Sequence, residues 1–173
     1  MSPAPSRWEP VLGETTGAVT LSDQASLGDA VARMTRQAKR KLRIFSQDLD
    51  APLYDRIEVL DAIRNLALQD VHVPVRILLA DAAPAVYNGH RLIELARGLT
   101  SRIHIRRIPK EFQDRTKAYL LADDRGYVQR RLSAVYEGTA NFNAPLHVRR
   151  LGEGFERIWE LSDIHQELRR LYI

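Results

Sequence analysis

Short aliphatic, β-branched runs alternate along this chain with stretches whose apolar residues recur every three or four positions, and that alternation confines it to a layered α/β fold. Leu42-Arg43-Ile44-Phe45, Val73–Leu79 and Ile103–Arg106 read as strands. Between them, Leu27, Val31, Met34 and Ala38 mark a helix to about Lys41, with Ser22 and Asp23 as caps. Ile57, Leu60, Ile63, Leu66 and Ala67 mark a second helix over Tyr54–Leu68, and Leu92, Leu95 and Ala96 a third over Val86–Leu99. Ala118–Ala122 and Tyr127-Val128 predict a hairpin around Asp123-Asp124-Arg125-Gly126. A strand over Ala134–Asn141 follows, then a helical pattern through Phe155, Ile158, Trp159, Leu161, Ile164, Leu168 and Leu171. The expected fold is a mixed, mostly parallel sheet flanked by helices, the parallel strands joined by right-handed crossovers. It forms one domain over residues 21–173, preceded by an arm over residues 1–20 that carries a short strand at Ala18–Leu21.

With 173 residues, 45% of them hydrophobic, the chain suits one domain with a sizeable core. Nine Gly and eight Pro exclude collagen-like and disordered classes. Without Cys there is no disulfide frame, thiolate zinc site or cysteine nucleophile. No apolar run approaches the ~18 residues that cross a membrane, and the N-terminus lacks the apolar core of a secretory signal, so a cytoplasmic location is expected. Basic residues number 26 against 22 acidic, and the short clusters Arg106-Arg107, Arg130-Arg131 and Arg149-Arg150 read either as solvated faces or as places for an anionic ligand.

The five histidines, His72, His90, His104, His147 and His165, have no Asp or Lys at a spacing that predicts a pair, and none forms a metal-binding pattern. Neither a metal nor a cofactor is expected. Arg149-Arg150-Leu151-Gly152-Glu153-Gly154 matches the Arg-x-x-Gly-x-Gly loop that binds CoA pyrophosphate at a helix N-terminus in GNAT-type acetyltransferases. An acetyltransferase is therefore one alternative reading.

Arg115-Thr116-Lys117, the strand Ala118–Ala122 and Asp123-Asp124 resemble the signature of the phospholipase D superfamily, His-x-Lys, four residues, then Asp, followed by a Gly-Ser-x-Asn turn. The resemblance extends from about Lys41 to Ser162, through "LRIFSQDL", "VPVRILLAD", "SRIHIRRIP" and the closing "FERIWE". It is similar, too, to uncharacterised short bacterial proteins of this superfamily.

The resemblance implies a single phospholipase D-like half-domain whose chemistry has been removed. Family members attack phosphorus with the motif His, and Arg115 at that position is permanently protonated and has no lone pair to offer. Lys117 stands where the family's Lys stands; Ala122 replaces the Asp, and Asp123 could serve only through a bulge. The Gly-Ser-x-Asn turn falls either on Gln129-Arg130-Arg131, which preserves spacing, or on Gly138-Thr139-Ala140-Asn141 further on. The expected module is non-catalytic, with Arg115, Lys117, Arg130, Arg131 and Asn141 as the residues for a phosphate-containing ligand or nucleic acid. A homodimer pairing two such edges is the partner that the resemblance implies, and a phosphodiesterase or nuclease using a different nucleophile is a further alternative.

Overall fold

The computed structural model describes residues 2–3, 7–69, 72, 74–113, 117–132 and 134–164. The elements are β1 (Ser2–Pro3), β2 (Val19–Leu21), α1 (Gln24–Gln37), β3 (Leu42–Ser46), α2 (Ala51–Tyr54), α3 (Ile57–Gln69), β4 (Val75–Leu79), α4 (Ala83–Tyr87), α5 (Arg91–Gly98), β5 (Ile103–Arg107), β6 (Ala118–Ala122), β7 (Gly126–Arg130), β8 (Gly138–Asn141), α6 (Pro145–Leu161) and β9 (Asp163–Ile164). A nine-stranded sheet in the order β1-β2-β8-β7-β6-β3-β4-β5-β9 carries helices on both faces.

The sheet is mixed, as expected, but it is mostly antiparallel. Strands β3, β4 and β5 are parallel, joined by helical crossovers, and the two-residue β1 is parallel to β2. Every other junction is antiparallel: β6, β7 and β8 follow one another through connections too short for a crossover, and β3–β6, β2–β8 and β5–β9 also pair antiparallel.

Strand alternation divides the core in two. Leu42, Ile44, Ile77, Leu79, Leu120 and Val128 face α1–α5 in one cluster. Phe45, Leu78, Tyr119, Leu121 and Tyr127 face α6, packing on Val148, Phe155, Ile158 and Trp159. Arginines anchor α6 as well: Glu156 accepts from Arg76 at 2.9 Å, and Arg76 and Arg106 lie 5.3 and 4.4 Å from the Trp159 ring centre.

Helix ends depart from periodicity where local chemistry intervenes. Asp23 caps α1 in a capping box with Ser26, as its position suggests. The expected Val86–Leu99 helix is split: Gly89 takes a φ of +65°, and His90 caps α5 by accepting from the Leu92 N–H at 3.1 Å. The expected Tyr54–Leu68 helix begins instead as the separate turn α2. Strand β8 covers only Gly138–Asn141 of the expected Ala134–Asn141, and Ile164, expected on the last helix, lies in β9; Leu168 and Leu171 fall outside the described residues. Ahead of β2, Trp8 packs edge-on against Phe142 at 5.4 Å, and the Leu12 N–H donates to Gln37 Oε1. Among the described residues, no helix is long and apolar enough to cross a membrane.

Candidate anion-binding site

The loops after β3 and β4, the start of β6 and the end of β7 meet at the C-terminal edge of the parallel strands, the edge where open α/β sheets bind ligands. The β3–α2 loop is tightly built: Leu49, buried, holds a φ of +67° while its N–H donates to Ser46 Oγ at 2.9 Å. That conformation delivers Asp50 to Arg130, whose Nη1 donates to Asp50 Oδ2 at 2.5 Å with both side chains largely buried. Tyr136 Oη donates to the other Asp50 oxygen at 3.0 Å, and its ring lies 4.8 Å from the Arg130 guanidinium. Burial first, then the Asp50 charge, pushes the Tyr54 and Tyr136 hydroxyls above the usual tyrosine range. Asp50, Arg130 and Tyr136 line a cleft of about 380 Å³ with Asp48, Asp55 and Asn88.

The sheet separates the residues that sequence grouped together. Arg130 pairs across the ladder with Ala118 and points, like Val128, toward α1–α5. Gln129 pairs with Tyr119 and points to the α6 face. One step beyond the Ala118–Arg130 pair, Lys117 and Arg131 end the same two strands, both exposed. Arg115 lies outside the described residues. Asn141 is at the far end of β8, opposite Tyr127, where its Oδ1 accepts from the Asn143 N–H at 3.0 Å. It is remote from Lys117, Arg130 and Arg131.

On the α6 face the first turn of α6 brings in a histidine that spacing concealed. His147 Nε2–H donates to Gln129 Oε1 at 2.9 Å, and its ring centre lies 4.3 Å from that of Tyr127. Arg150, one helical turn on, shares its flank. Burial, and after it the Arg150 and Lys117 charges, hold His147 below the usual histidine range. Lys117, Arg131 and Arg150 have no ion-pair partner among the described residues, whereas Arg43, Arg76, Arg91 and Arg130 do. Three cations without an ion-pair partner among the described residues, set around a His–Gln pair, can hold an anion.

At the opposite end of the hairpin the acidic pair is structural. Ala122 pairs with Leu42 in an unbroken ladder, so no bulge moves Asp123 into the motif position. Asp123 and Asp124 both take a φ of 53° in the turn, and Asp123 accepts the backbone N–H groups of Lys39, Arg40 and Lys41 at 2.7, 2.7 and 3.0 Å. Asp124 pairs with Arg43 at 2.6 Å. The Arg149–Gly154 match does not form a phosphate loop either. It lies inside α6, where intrahelical bonds occupy its N–H groups, and Gly152 packs on the buried Arg43. Among the described residues no cluster of three metal-ligating side chains occurs.

Solved structures share this architecture. Nuc from Salmonella typhimurium, a phospholipase D family member, is 12% identical at a TM-score of 0.65, over 86% of this chain and 97% of its own. NucT from Helicobacter pylori is 10% identical at a TM-score of 0.62, over 86% and 99%. TrmBL2, an archaeal chromatin protein with a novel mode of DNA binding, is 13% identical at a TM-score of 0.63, over 88% of this chain and 55% of its own, so this chain spans about half its length. These likenesses establish a phospholipase D-like fold. No curated protein matches by sequence. The model of a domain of unknown function, DUF7931, matches residues 23–171, nearly the whole chain, and the chain belongs to that family.

Proposed function

We propose that the chain is a non-catalytic phospholipase D-like module that holds a phosphate-containing ligand at the edge formed by Lys117, Arg131 and Arg150, with Arg115 adjoining in sequence. The observation that carries this reading is the concentration, around His147 and Gln129, of cations that have no ion-pair partner among the described residues, while Arg130 beside them is committed to Asp50. The Arg at position 115 supports the loss of catalysis, since a guanidinium supplies charge but no nucleophile. Phosphate bound here gains charge-assisted hydrogen bonds from Lys117 and the arginines. The DNA-binding and phospholipase D relatives of this fold both handle phosphodiesters, which agrees with such a ligand. Titration with inorganic phosphate, followed by the melting temperature, tests the reading. Binding should raise the transition. The double variant Lys117→Ala, Arg150→Ala should abolish that rise while folding normally; no rise in the unmutated protein rejects the site.

A second reading, a phosphodiesterase with a displaced nucleophile, is favoured by one observation. Burial, and after it the Arg150 and Lys117 charges, favour the neutral form of His147, in which the Nε2–H bond to Gln129 leaves Nδ1 with the lone pair. Attack by Nδ1 on phosphorus would expel the ester oxygen and leave a phosphohistidine for water to cleave. Mass spectrometry after incubation with bis-p-nitrophenyl phosphate at pH 5–8 separates the two: a phospho-adduct on His147 establishes the enzyme, and its absence with no release of nitrophenol leaves the binding module.

A further inference from the structure

The α6 face is only partly covered. Helix α6 lies over β7 through β5, held by His147 on Gln129 at one end and by Trp159 on Arg106 at the other. Strands β8 and β2 continue the sheet beyond that cover. Across them one register row reads Gln129, Thr139, Thr20, each pairing with the next. The row floors a groove of about 600 Å³, lined also by Ser22, Arg131 and Glu137. Its mouth adjoins Lys117, because Gln129 pairs with Tyr119 two residues along β6.

We infer that this groove is the track for a single nucleic-acid strand, which enters at Lys117 and Arg150, passes Gln129 and Arg131, and crosses Thr139 and Thr20. The inference rests on the anion-binding reading above and names the ligand of that same edge. Three strand spacings separate β6 from β2, ~15 Å at ~4.8 Å each. That is longer than a lone phosphate needs. The lining chemistry agrees. Protein contacts to a sugar-phosphate backbone come from Arg and Lys together with Ser, Thr and Gln, and Arg131, Ser22, Thr20, Thr139 and Gln129 supply such types along this groove beside the carboxylate of Glu137. Gln129, Thr139 and Thr20 are uncharged polar side chains of the kind that suits ribose and phosphate oxygens. The row presents no aromatic ring for a base to stack on, so the contacts are to the backbone and independent of sequence.

Fluorescence anisotropy with fluorescein-labelled oligothymidylates of two, four, six and sixteen nucleotides tests this. Affinity should rise at least tenfold from two to six nucleotides and then level off. The double variant Thr20→Val, Thr139→Val should remove most of that rise and leave the inorganic-phosphate shift unchanged. If the valine pair unfolds the edge, Ser22→Glu, an exposed change, should weaken the six-nucleotide probe at least fivefold and leave inorganic phosphate alone. A flat length series, a folded valine pair or Ser22→Glu without effect, or preferential binding to phosphatidylglycerol vesicles overturns the track while a phosphate shift abolished by Lys117→Ala, Arg150→Ala keeps the anion site. If neither oligonucleotide nor phosphate binds, the underlying reading fails too.

Discussion

Asp50 and Arg130, 80 residues apart in sequence, meet at 2.5 Å beneath the rim of the sheet, and the contact closes the loop after β3 onto the end of β7. Each side chain is almost withdrawn from water, at 11% and 4% exposure, so removing one partner strands a buried charge.

Arg130→Met is therefore expected to destabilise the protein by ~3–5 kcal/mol. Adding Asp50→Asn should recover part of that loss, because the stranded carboxylate is gone. Urea unfolding of the two single variants and the double variant gives the coupling directly. Additive effects would show that the pair acts as two independent surface groups.

Lys117→Ala should weaken nucleic-acid binding and also reduce its salt sensitivity. The slope of log affinity against log salt should fall by ~0.7 for each phosphate of a single strand that the protein no longer neutralises. The same measurement on Arg125→Ala, a cation at the opposite end of the hairpin, should leave the slope unchanged. Equal slopes for Lys117→Ala and the unmutated protein would remove Lys117 from the site.

Acid should loosen the fold through His90. Its Nδ1 accepts the Leu92 N–H and its Nε2–H donates to the Leu49 carbonyl at 2.9 Å, so protonation removes the cap. Burial is the main cause that lowers its pKa in the folded chain. A depressed folded value means that the unfolded chain binds the proton first. The stabilisation is complete above the unfolded pKa of ~6.5 and is lost as pH falls from there through the folded value. His90→Gln should lower stability at pH 8 and flatten its decline between pH 7 and 5 in denaturant titrations. An unchanged pH profile would contradict this assignment.

Two glycines two residues apart, on opposite faces of α6, should respond in opposite ways. A Cβ at Gly152 would lie 2.6 Å from Arg43 Nη1, and Arg43 is fixed by Asp124 and Glu156, so Gly152→Ala should cost ~1–3 kcal/mol. Nothing lies within 4 Å of a Cβ at Gly154, and Gly154→Ala should gain ~0.5–1 kcal/mol from helix propensity. Thermal melts of both variants settle the matter, and a shared sign would show that α6 is not packed as described.

Much of the scaffold is readable from the chain because the responsible patterns are local. The β-branched run at Val75–Leu79, the hairpin through Asp123 and Asp124 and the Asp23 cap each announce themselves within a few residues. The direction of pairing is not readable, since β6, β7 and β8 show the same alternation whichever way a neighbour runs. The helix breaks at Gly89 and Asp55 escape a reading of periodicity because apolar spacing continues across them.

The candidate site is legible at Lys117, which a short motif marks, and obscure at His147, which is 30 positions from it. Nothing in a linear spacing announces that α6 returns over Gln129. Arg150 is hidden in a glycine motif whose formal match points to the wrong chemistry. Arg130 and Arg131 look interchangeable as neighbours in one cluster, and only their opposite sides of the sheet distinguish them.

That last distinction makes the peptide link between positions 130 and 131 a frontier. Drift on its near side is policed by the interior, because any change at Arg130 must answer to a buried carboxylate. Beyond it, Arg131 is exposed and has no ion-pair partner among the described residues. A substitution at position 131 can thus alter the charge of the rim without renegotiating the architecture that holds the rim in place.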